Sequence, residues 1–338
     1  MVKIPEEVRS QIEKIRQQCL KIKPEVVIFS LAYNHGSYIR DTLDGFIMQQ
    51  TDFPFVAIVH DDASTDNTAK ILKEYASKYA DIIFPIYETE NQYSKDSGVL
   101  GKIMNAAIAA TGSEFVAMCE CDDYWTDKLK LQKQFDFLKS HIDYGMCYSF
   151  CLVEEASFIN PNKTFGLNRC SFIELLVNGN CIPTPTVFLR TQLYNKFNKY
   201  ICPDRHKWKM GDYPVWLFIA RISKIKCIPD IVGVYRKLEE SASHSNNINK
   251  KIDFDRSYRD IKLFYNKNYN ENNPKCVRII NYKYLKTLIV RYLEDKSLRS
   301  KIHSEMVGLE LSFIHKLIIW GCTIPIFYKT LIFILKRD

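Results

Sequence analysis

The chain lacks several features that would assign it to a familiar class of proteins. Its 11 cysteines are irregularly spaced, and none forms a Cys-x-x-Cys pair. This argues against a zinc ribbon and against a thioredoxin-type redox site. The N-terminus carries no apolar signal-peptide core, so we expect a cytoplasmic protein with reduced cysteines that act as small apolar residues.

An uninterrupted membrane-spanning run is also missing. Residues 317–335 approach the length of a span, but Pro325 and Lys329 interrupt them. We expect residues 313–338 to lie in the membrane plane as an amphipathic anchor, at the inner face of the cytoplasmic membrane. The alternative is a helix that packs on the main domain.

The composition is that of a globular protein with a sizeable core. The 338 residues are 46% hydrophobic and 25% charged, enough for one large domain with an appendage. The net charge of +8 fits a phosphate-rich ligand or an anionic membrane surface, and we expect no nucleic-acid partner.

A repeating strand–helix pattern follows a predicted N-terminal helix over residues 1–23. The apolar, β-prone runs are residues 26–31, 55–59, 82–86 and 115–118. They recur at roughly the length of a βαβ unit, with helical spacing between them. Because they do not alternate with polar residues, we expect a parallel sheet covered on both faces, and residues 24–123 form a doubly wound α/β half.

Polar side chains cluster where the predicted strands end, which is where such sheets bind ligands. Tyr33 and Asn34 follow the first strand, Asp61 and Asp62 follow the second, and residues 120–123 follow the fourth. We expect all three segments to converge on one edge of the sheet.

The acids of residues 120–123 predict a cation site. Glu120, Asp122 and Asp123 repel one another unless positive charge is present. Their hard oxygen ligands suit Mg²⁺ or Mn²⁺ shared with substrate phosphates. The alternative is a solvated acidic turn that caps the next helix.

Two further acidic segments have candidate roles. Asp61 and Asp62 can accept hydrogen bonds from a uracil ring or a ribose hydroxyl, while residues 64–66 are assigned to helix capping. Asp212 begins an apolar helical run and has Pro214 just inside it. Asp212 is therefore a helix cap, a general base for an acceptor hydroxyl, or both.

Taken in order, these segments resemble family 2 glycosyltransferases over roughly residues 24–245. The matching segments are residues 30–39, 61–66, 120–123, 211–214 and 234–244. The resemblance implies a GT-A fold, which is a Rossmann-like, mostly parallel sheet flanked by helices. It also implies inverting transfer of a sugar, with a UDP-sugar as the favoured donor, to a glycan or lipid-linked glycan in surface polysaccharide biosynthesis.

The same resemblance assigns roles to individual residues. It places Ala32, Tyr33, Asn34, Asp61 and Asp62 at the nucleoside, and Lys102 and Asn105 in the donor pocket. It places Cys121 and Asp123 beside the donor sugar. By the same resemblance, Glu120, Asp122 and His244 would bind Mn²⁺ or Mg²⁺, and Asp212 would be the base. Glu120 departs from the usual Asp of the family. For His244 a polar loop position remains the alternative, and for Lys102 and Asn105 a surface helix face.

The predicted organisation is a catalytic domain over residues 24–245, with 124–245 as its acceptor half, and a helical extension over 246–338. Within the extension, residues 245–275 are expected to be a linker or exposed loop. A sugar nucleotidyltransferase is one alternative function, but it needs a glycine-rich loop where Tyr33 and Asn34 stand. The other alternative is a GT-A-like binding protein without activity. This alternative remains because Glu120 stands where the family usually has Asp.

Overall fold

The computed structural model describes residues 3–95, 97–238 and 247–295, together with Ser304, Glu305 and Leu309. The predicted metal ligand His244 and the predicted membrane segment 313–338 lie outside the described residues. Among the helices that are described, none combines the length and the apolar character needed to cross a membrane.

The order of elements alternates strand and helix through the first half of the chain. The strands are β1 (Val26–Ala32), β2 (Phe55–Asp61), β3 (Ile83–Tyr87), β4 (Phe115–Met118), β5 (Tyr124–Trp125), β6 (Tyr144–Glu155), β7 (Phe158–Phe165), β8 (Phe188–Arg190) and β9 (Lys224–Lys237). The helices are α1 (Glu6–Ile22), α2 (Ile39–Ile47), α3 (Thr68–Lys78), α4 (Gln92–Lys95), α5 (Ser97–Thr111), α6 (Lys130–Ser140), α7 (Phe172–Asn178), α8 (Thr191–Ile201), α9 (Asp212–Ile222), α10 (Ile248–Tyr269) and α11 (Pro274–Glu294). Short 3₁₀ turns span Thr184–Thr186 and Pro203–Arg205.

All described strands belong to one nine-stranded sheet. Its order is β3-β2-β1-β4-β8-β6-β9-β5, and β7 pairs with β6. The first four strands of this order are parallel, and β8 runs antiparallel to both of its neighbours. The predicted parallel α/β half is therefore confirmed. Its strands are buried along almost their whole length, which explains the apolar runs without alternation.

Helix α1 packs against the sheet edge, as its helical spacing predicts. Val8, Ile12 and Ile15 are buried on one face. The Gln11 side-chain amide accepts from the backbone N–H of Tyr87 at 2.8 Å and donates to its carbonyl at 2.9 Å. Because these bonds replace the missing partner of an edge strand, α1 covers the outer edge of β3.

The chain divides into two compact units. The first comprises the chain up to Leu175, Asn180–Lys207 and Val215–Leu238, and it contains the sheet. The second comprises Leu176–Gly179, Trp208–Pro214 and the described residues from 247 onward.

The prediction of a loop over residues 245–275 is wrong, because α10 occupies most of that range. Ile252, Ile261 and Tyr265 are fully buried on one side of this helix. The side chain of Asn247 caps its first turn by accepting from two backbone N–H groups. The many Asn and Lys residues on the remaining positions hid this sparse apolar face.

Candidate functional site

The ends of β1, β2 and β4 meet at one edge of the sheet, called here the carboxyl rim (residues 32–36, 61–66 and 119–123). Ala32 is directly opposite Asp61 in the pairing of β1 with β2. Beyond β4, the N–H of Cys121 still donates to the carbonyl of Leu31 at 2.9 Å. The chain therefore runs alongside β1 until it reaches Asp122, and the predicted convergence of the three segments is confirmed.

The loops after β1 and β2 are fastened to each other. Asn34 and Ala63 both adopt left-handed backbone conformations, with φ of 56° and 60°. The backbone N–H of Asn34 donates to Ser64 Oγ at 2.9 Å, and Asn34 Oδ1 accepts from the N–H of Thr65 at 2.8 Å. These reciprocal bonds offset the cost of the two turns, since Asn tolerates this conformation but Ala does so only under strain.

The Asp66 carboxylate also joins the loops that follow β1 and β2. Its Oδ2 accepts from the N–H of Gly36 at 2.8 Å, and its Oδ1 accepts from the N–H of Thr68 at 2.9 Å. Burial alone raises the pKa of Asp66, but the hydrogen bonds from Thr68 and Gly36 outweigh it and hold the pKa below its usual value. A Cβ atom at position 36 would lie 2.7 Å from Asp66 Oδ2, so a larger residue would have to displace this carboxylate from its present position.

The two aspartates after β2 have different surroundings. Asp61 is buried and accepts from Ser64 Oγ, and burial raises its pKa. Asp62 accepts from the N–H groups of Gln92 and Tyr93, at 2.7 and 3.0 Å, and so caps the start of α4. The sequence predicted ligand contact for both aspartates, and the capping role of Asp62 is an addition. The predicted nucleoside contacts of Ala32, Tyr33, Asn34, Asp61 and Asp62 stay predictions.

The turn of residues 120–123, called here the acid turn, is held from behind. The Cys121 side chain is fully buried, and its Sγ lies 3.0 Å from Ser30 Oγ. The Thr42 hydroxyl lies 2.6 Å from the carbonyl oxygen of Asp123 and 3.0 Å from that of Cys121. Cys121, predicted beside the donor sugar, thus shapes the turn with a side chain that points into the core.

The last two acids of the acid turn differ in their hydrogen bonds. Asp123 is 2% exposed and accepts from the backbone N–H of Arg236 at 2.8 Å. Burial, together with the charge of Asp122, raises the pKa of Asp123 well above its usual value. Asp122 Oδ1 is buried and has no hydrogen-bond partner among the described residues. An unpaired buried carboxylate oxygen raises the free energy of the folded protein. Asp122 is therefore the acid of this turn that a bound ligand would stabilise most.

At the carboxyl rim, His35 Nδ1 is also buried without a hydrogen-bond partner among the described residues. Burial lowers the pKa of His35, although the charges of Asp122, Asp66 and Asp61 raise it. The lowered pKa means that the imidazole is neutral near pH 7 and does not neutralise the rim. No role is predicted for His35 from the sequence.

The donor atoms of the acid turn fit a divalent cation that also binds phosphate. Within the described part of the chain, no group of three or more His, Cys, Asp or Glu side chains is arranged to hold a metal. Mg²⁺ and Mn²⁺ sites of this kind use one or two carboxylates, and substrate phosphates and waters complete the shell. The unpaired oxygen of Asp122, with Glu120 in the same turn, meets that requirement.

Three predicted site residues lie away from the acid turn in sequence. Lys102 forms an ion pair with Asp204, in the second 3₁₀ turn, at 3.3 Å. Asn105 Oδ1 accepts from Asn198 Nδ2, in α8, at 2.5 Å. Their place in a donor pocket stays a prediction. Asp212 is the first residue of α9 and belongs to the second unit, and its role as a base also stays a prediction.

Sequence reasoning missed the residues that brace the acid turn, above all Arg236 and Thr42. Arg236 was noted only as part of a matching segment. A charge argument could have singled it out, since a group of carboxylates needs a cation and Arg236 follows the apolar segment near the end of β9. Thr42 gave no comparable signal, because a threonine on an apolar helix face is common.

Comparison with known proteins gives a clear family match. The sequence profile described as "Glycosyl transferase family 2" matches residues 27–197. A Mycobacterium tuberculosis protein of uncharacterised function is 34% identical over 221 residues, which is 64% of this chain and 60% of that protein. The poly(ribitol-phosphate) beta-N-acetylglucosaminyltransferase TarS of Staphylococcus aureus is 33% identical over 185 residues, which is 52% of this chain and 29% of TarS. The chain thus spans about 60% of the first of these relatives.

Solved structures confirm the GT-A fold. The structure of S. aureus TarS 1-349 with UDP-GlcNAc superposes with a TM-score of 0.55 at 18% identity, covering 91% of this chain and 81% of that one. The mannosyltransferase PcManGT from Pyrobaculum calidifontis, with GDP-Man and Mn²⁺, gives a TM-score of 0.51 at 14% identity, covering 96% of this chain and 91% of that one. At these identities the likeness concerns the fold.

Proposed function

This chain belongs to glycosyl transferase family 2, and from that premise we propose that it transfers a sugar from a nucleotide diphosphate sugar to a hydroxyl group. We propose a UDP-sugar as donor and a glycan or lipid-linked glycan of a surface polysaccharide as acceptor. The observation that carries the proposal is the buried Asp122 Oδ1 without a partner among the described residues, at the carboxyl rim of a parallel sheet. The sequence relative TarS is a poly(ribitol-phosphate) beta-N-acetylglucosaminyltransferase, and the TarS structure that contains UDP-GlcNAc supports a UDP-sugar as donor.

In this proposal the rim residues divide donor binding among them. Asp61 and the loop from Ala32 to Asn34 form the wall that contacts the nucleoside, braced by Ser64. Asp62 contributes by holding α4 in place. Lys102 and Asn105 belong to the outer donor pocket. Asp123 sets the backbone beneath the donor sugar, because its carboxylate is buried.

Glu120 and Asp122 would hold Mn²⁺ or Mg²⁺, with His244 as a third ligand inferred from the sequence. When bound, such an ion neutralises the charge that develops on the departing diphosphate. The residues themselves present the carboxylate oxygens and keep them fixed, since Ser30 and Thr42 hold the turn from behind.

We assign proton removal from the acceptor hydroxyl to Asp212, the first residue of α9. A general base near the hydroxyl takes its proton as the oxygen attacks the sugar carbon opposite the diphosphate. A single displacement of this kind inverts the anomeric centre without a covalent intermediate. We place the enzyme in the cytoplasm, with residues 313–338 in peripheral contact with the membrane.

Calorimetry tests the proposal directly. We expect UDP to bind, and Mn²⁺ to raise its affinity, while GDP binds more weakly. A screen of UDP-sugars for hydrolysis or transfer then identifies the donor. Absence of nucleoside diphosphate binding, with and without metal, would refute the enzyme assignment. Binding of UDP without turnover of any donor would favour the inactive binding protein, the alternative motivated by Glu120.

A further inference from the structure

Arg236, near the end of β9, is the most heavily bonded side chain behind the acid turn. It is 7% exposed. Its backbone N–H donates to Asp123 Oδ1 at 2.8 Å, and Nη1 donates to the carbonyl of Asp122 at 3.0 Å. Its Nε donates to Glu154 Oε2 at 3.1 Å, and Nη2 donates to Asp41 Oδ2. One residue thus joins α2, β6 and the acid turn.

Aromatic rings cover the guanidinium group as well. Its central carbon lies 4.3 Å from the ring centre of Tyr124 and 5.2 Å from that of Tyr38. An arginine stacked on rings and bonded along its edge has little freedom to turn toward a ligand. The bonds of Arg236 therefore act on the protein, and the acid turn receives two of them.

We infer that Arg236 is a positioning residue that fixes the acid turn through the Asp122 carbonyl and the Asp123 carboxylate, with Asp41 and Glu154 as its anchors. The inference rests on the proposed function only for its consequence, the metal-assisted binding of a nucleoside diphosphate. Arg236 fixes the acid turn whether or not a ligand is bound there. Groups behind a ligand shell that orient the ligating side chains commonly change metal affinity about 10- to 100-fold when removed.

Arg190 provides a matched control. It is 8% exposed and donates from Nε to the carbonyl of Tyr144 at 3.0 Å and from Nη2 to that of Leu138 at 2.6 Å. It also pairs with Glu114 at 3.2 Å and lies over the ring of Phe115. Arg190 is opposite the first residue of β4, at the other end of that strand. Replacing it removes an equivalent buried arginine without touching the acid turn.

Hydrogen exchange of the full chain without ligand tests the geometric claim. The N–H groups of Cys121 and Asp123 are hydrogen-bonded to the carbonyls of Leu31 and Glu120, so both are protected reporters. Arg236→Lys keeps the charge and the backbone N–H that donates to Asp123, but it cannot make the guanidinium bonds that join the Asp122 carbonyl to Glu154 and Asp41. We expect the two amides to exchange at least about tenfold faster in this variant. In Arg190→Lys they should exchange at the parent rate. Unchanged exchange in Arg236→Lys, or equal acceleration in both variants, would overturn the inference.

Calorimetry with UDP separates positioning from direct contact. We expect Arg236→Lys to lose about 10- to 100-fold of the Mn²⁺-dependent gain in affinity, and Glu154→Gln and Asp41→Asn to lose part of the same gain. The losses should be non-additive with Arg236→Lys, because all three act through one guanidinium. If Arg236 instead bound the diphosphate itself, freeing it from Glu154 or Asp41 would preserve or raise affinity, and that result would refute the inference. If the parent protein binds no UDP, the proposed function fails while the exchange experiment still decides on Arg236.

Discussion

The two ends of the parallel strands differ sharply in how their charges are balanced. At the amino ends, Glu25 and Glu114 pair with Lys139 at 3.0 and 2.6 Å, and Glu114 also pairs with Arg190. Two acids and two bases pair there, and all of them except Arg190 are partly exposed. At the carboxyl rim, acids outnumber cations, and one buried carboxylate oxygen has no partner among the described residues.

The difference separates an end of the sheet with balanced charges from the end at which we propose that the donor binds. Partly exposed ion pairs such as those of Lys139 contribute about 0–1 kcal/mol each to stability, and they demand nothing further. Unbalanced carboxylates held rigidly in place reduce stability until a cation arrives. Proteins commonly sacrifice some stability for function at such sites. The excess acid at the carboxyl rim is therefore its functional signature.

Asp212→Asn is expected to have the largest effect, a loss of sugar-transfer rate. It tests whether the carboxyl rim binds the donor independently of proton removal. General bases contribute about 10²–10⁴-fold to rate. We expect kcat for sugar transfer to fall by about that factor, while the affinity for UDP with Mn²⁺ is kept. Steady-state kinetics and calorimetry on the same preparation provide the two readouts. Retained turnover would remove Asp212 from the role of base.

Asp122→Ala tests the contrast between the two ends of the strands more directly. It removes the unpaired carboxylate, so we expect the Mn²⁺-dependent gain in UDP affinity to fall by about 10- to 100-fold. The matched control is Glu114→Ala, which deletes one acid at the amino ends and should leave the metal response unchanged. Equal effects in both variants would mean that net charge, and not the Asp122 site, attracts the ion.

A smaller effect is expected from Lys130, the first residue of α6. Its fully buried amine donates to Gln134 and lies 4.1 Å from the ring centre of Trp125. Burial lowers the pKa of Lys130 to about 7. Between about pH 7 and 10 the unfolded chain therefore binds one more proton than the folded chain. The free energy of unfolding should then rise with pH by up to about 1.4 kcal/mol per unit from this group.

Lys130→Met should remove that slope, measured by urea unfolding between pH 7 and 9. Lys139→Met is the control at the amino ends. Its hydrogen bond to Glu114 raises the pKa of Lys139, so this amine is charged in both states over the same range and contributes no slope. A parent-like slope in Lys130→Met would show that this lysine is charged in the folded protein.

The sequence was sufficient for the parallel half of the sheet and for the convergence of its loops. Buried strands need continuous apolar runs, and turns between strand and helix need residues such as Asn34 and Asp66, so both leave local signals. The positions of Asp61 and Asp122 at one rim follow from strand direction alone.

Contacts between distant segments could not be predicted in the same way. Asp62 caps α4, Cys121 turns its thiol toward Ser30, and Lys102 pairs with Asp204, and each of these partners is selected by tertiary packing. Helix α10 was missed for a related reason, because its buried face consists of few apolar residues among many polar ones. Pattern reasoning therefore locates the functional rim better than it assigns the individual bonds.

The link between Asp41 and Arg236 also has a consequence for biosynthesis. These residues are 195 positions apart in the chain. At roughly 5–20 residues per second on the ribosome, about 10–40 s pass between their synthesis. β2 is completed early in that interval and β4 later in it, so β1, β2 and β4 can pair while the acid turn still lacks its brace from β9. The parallel strands of the nascent chain can therefore pair before the acid turn has the bonds from Arg236 that hold it.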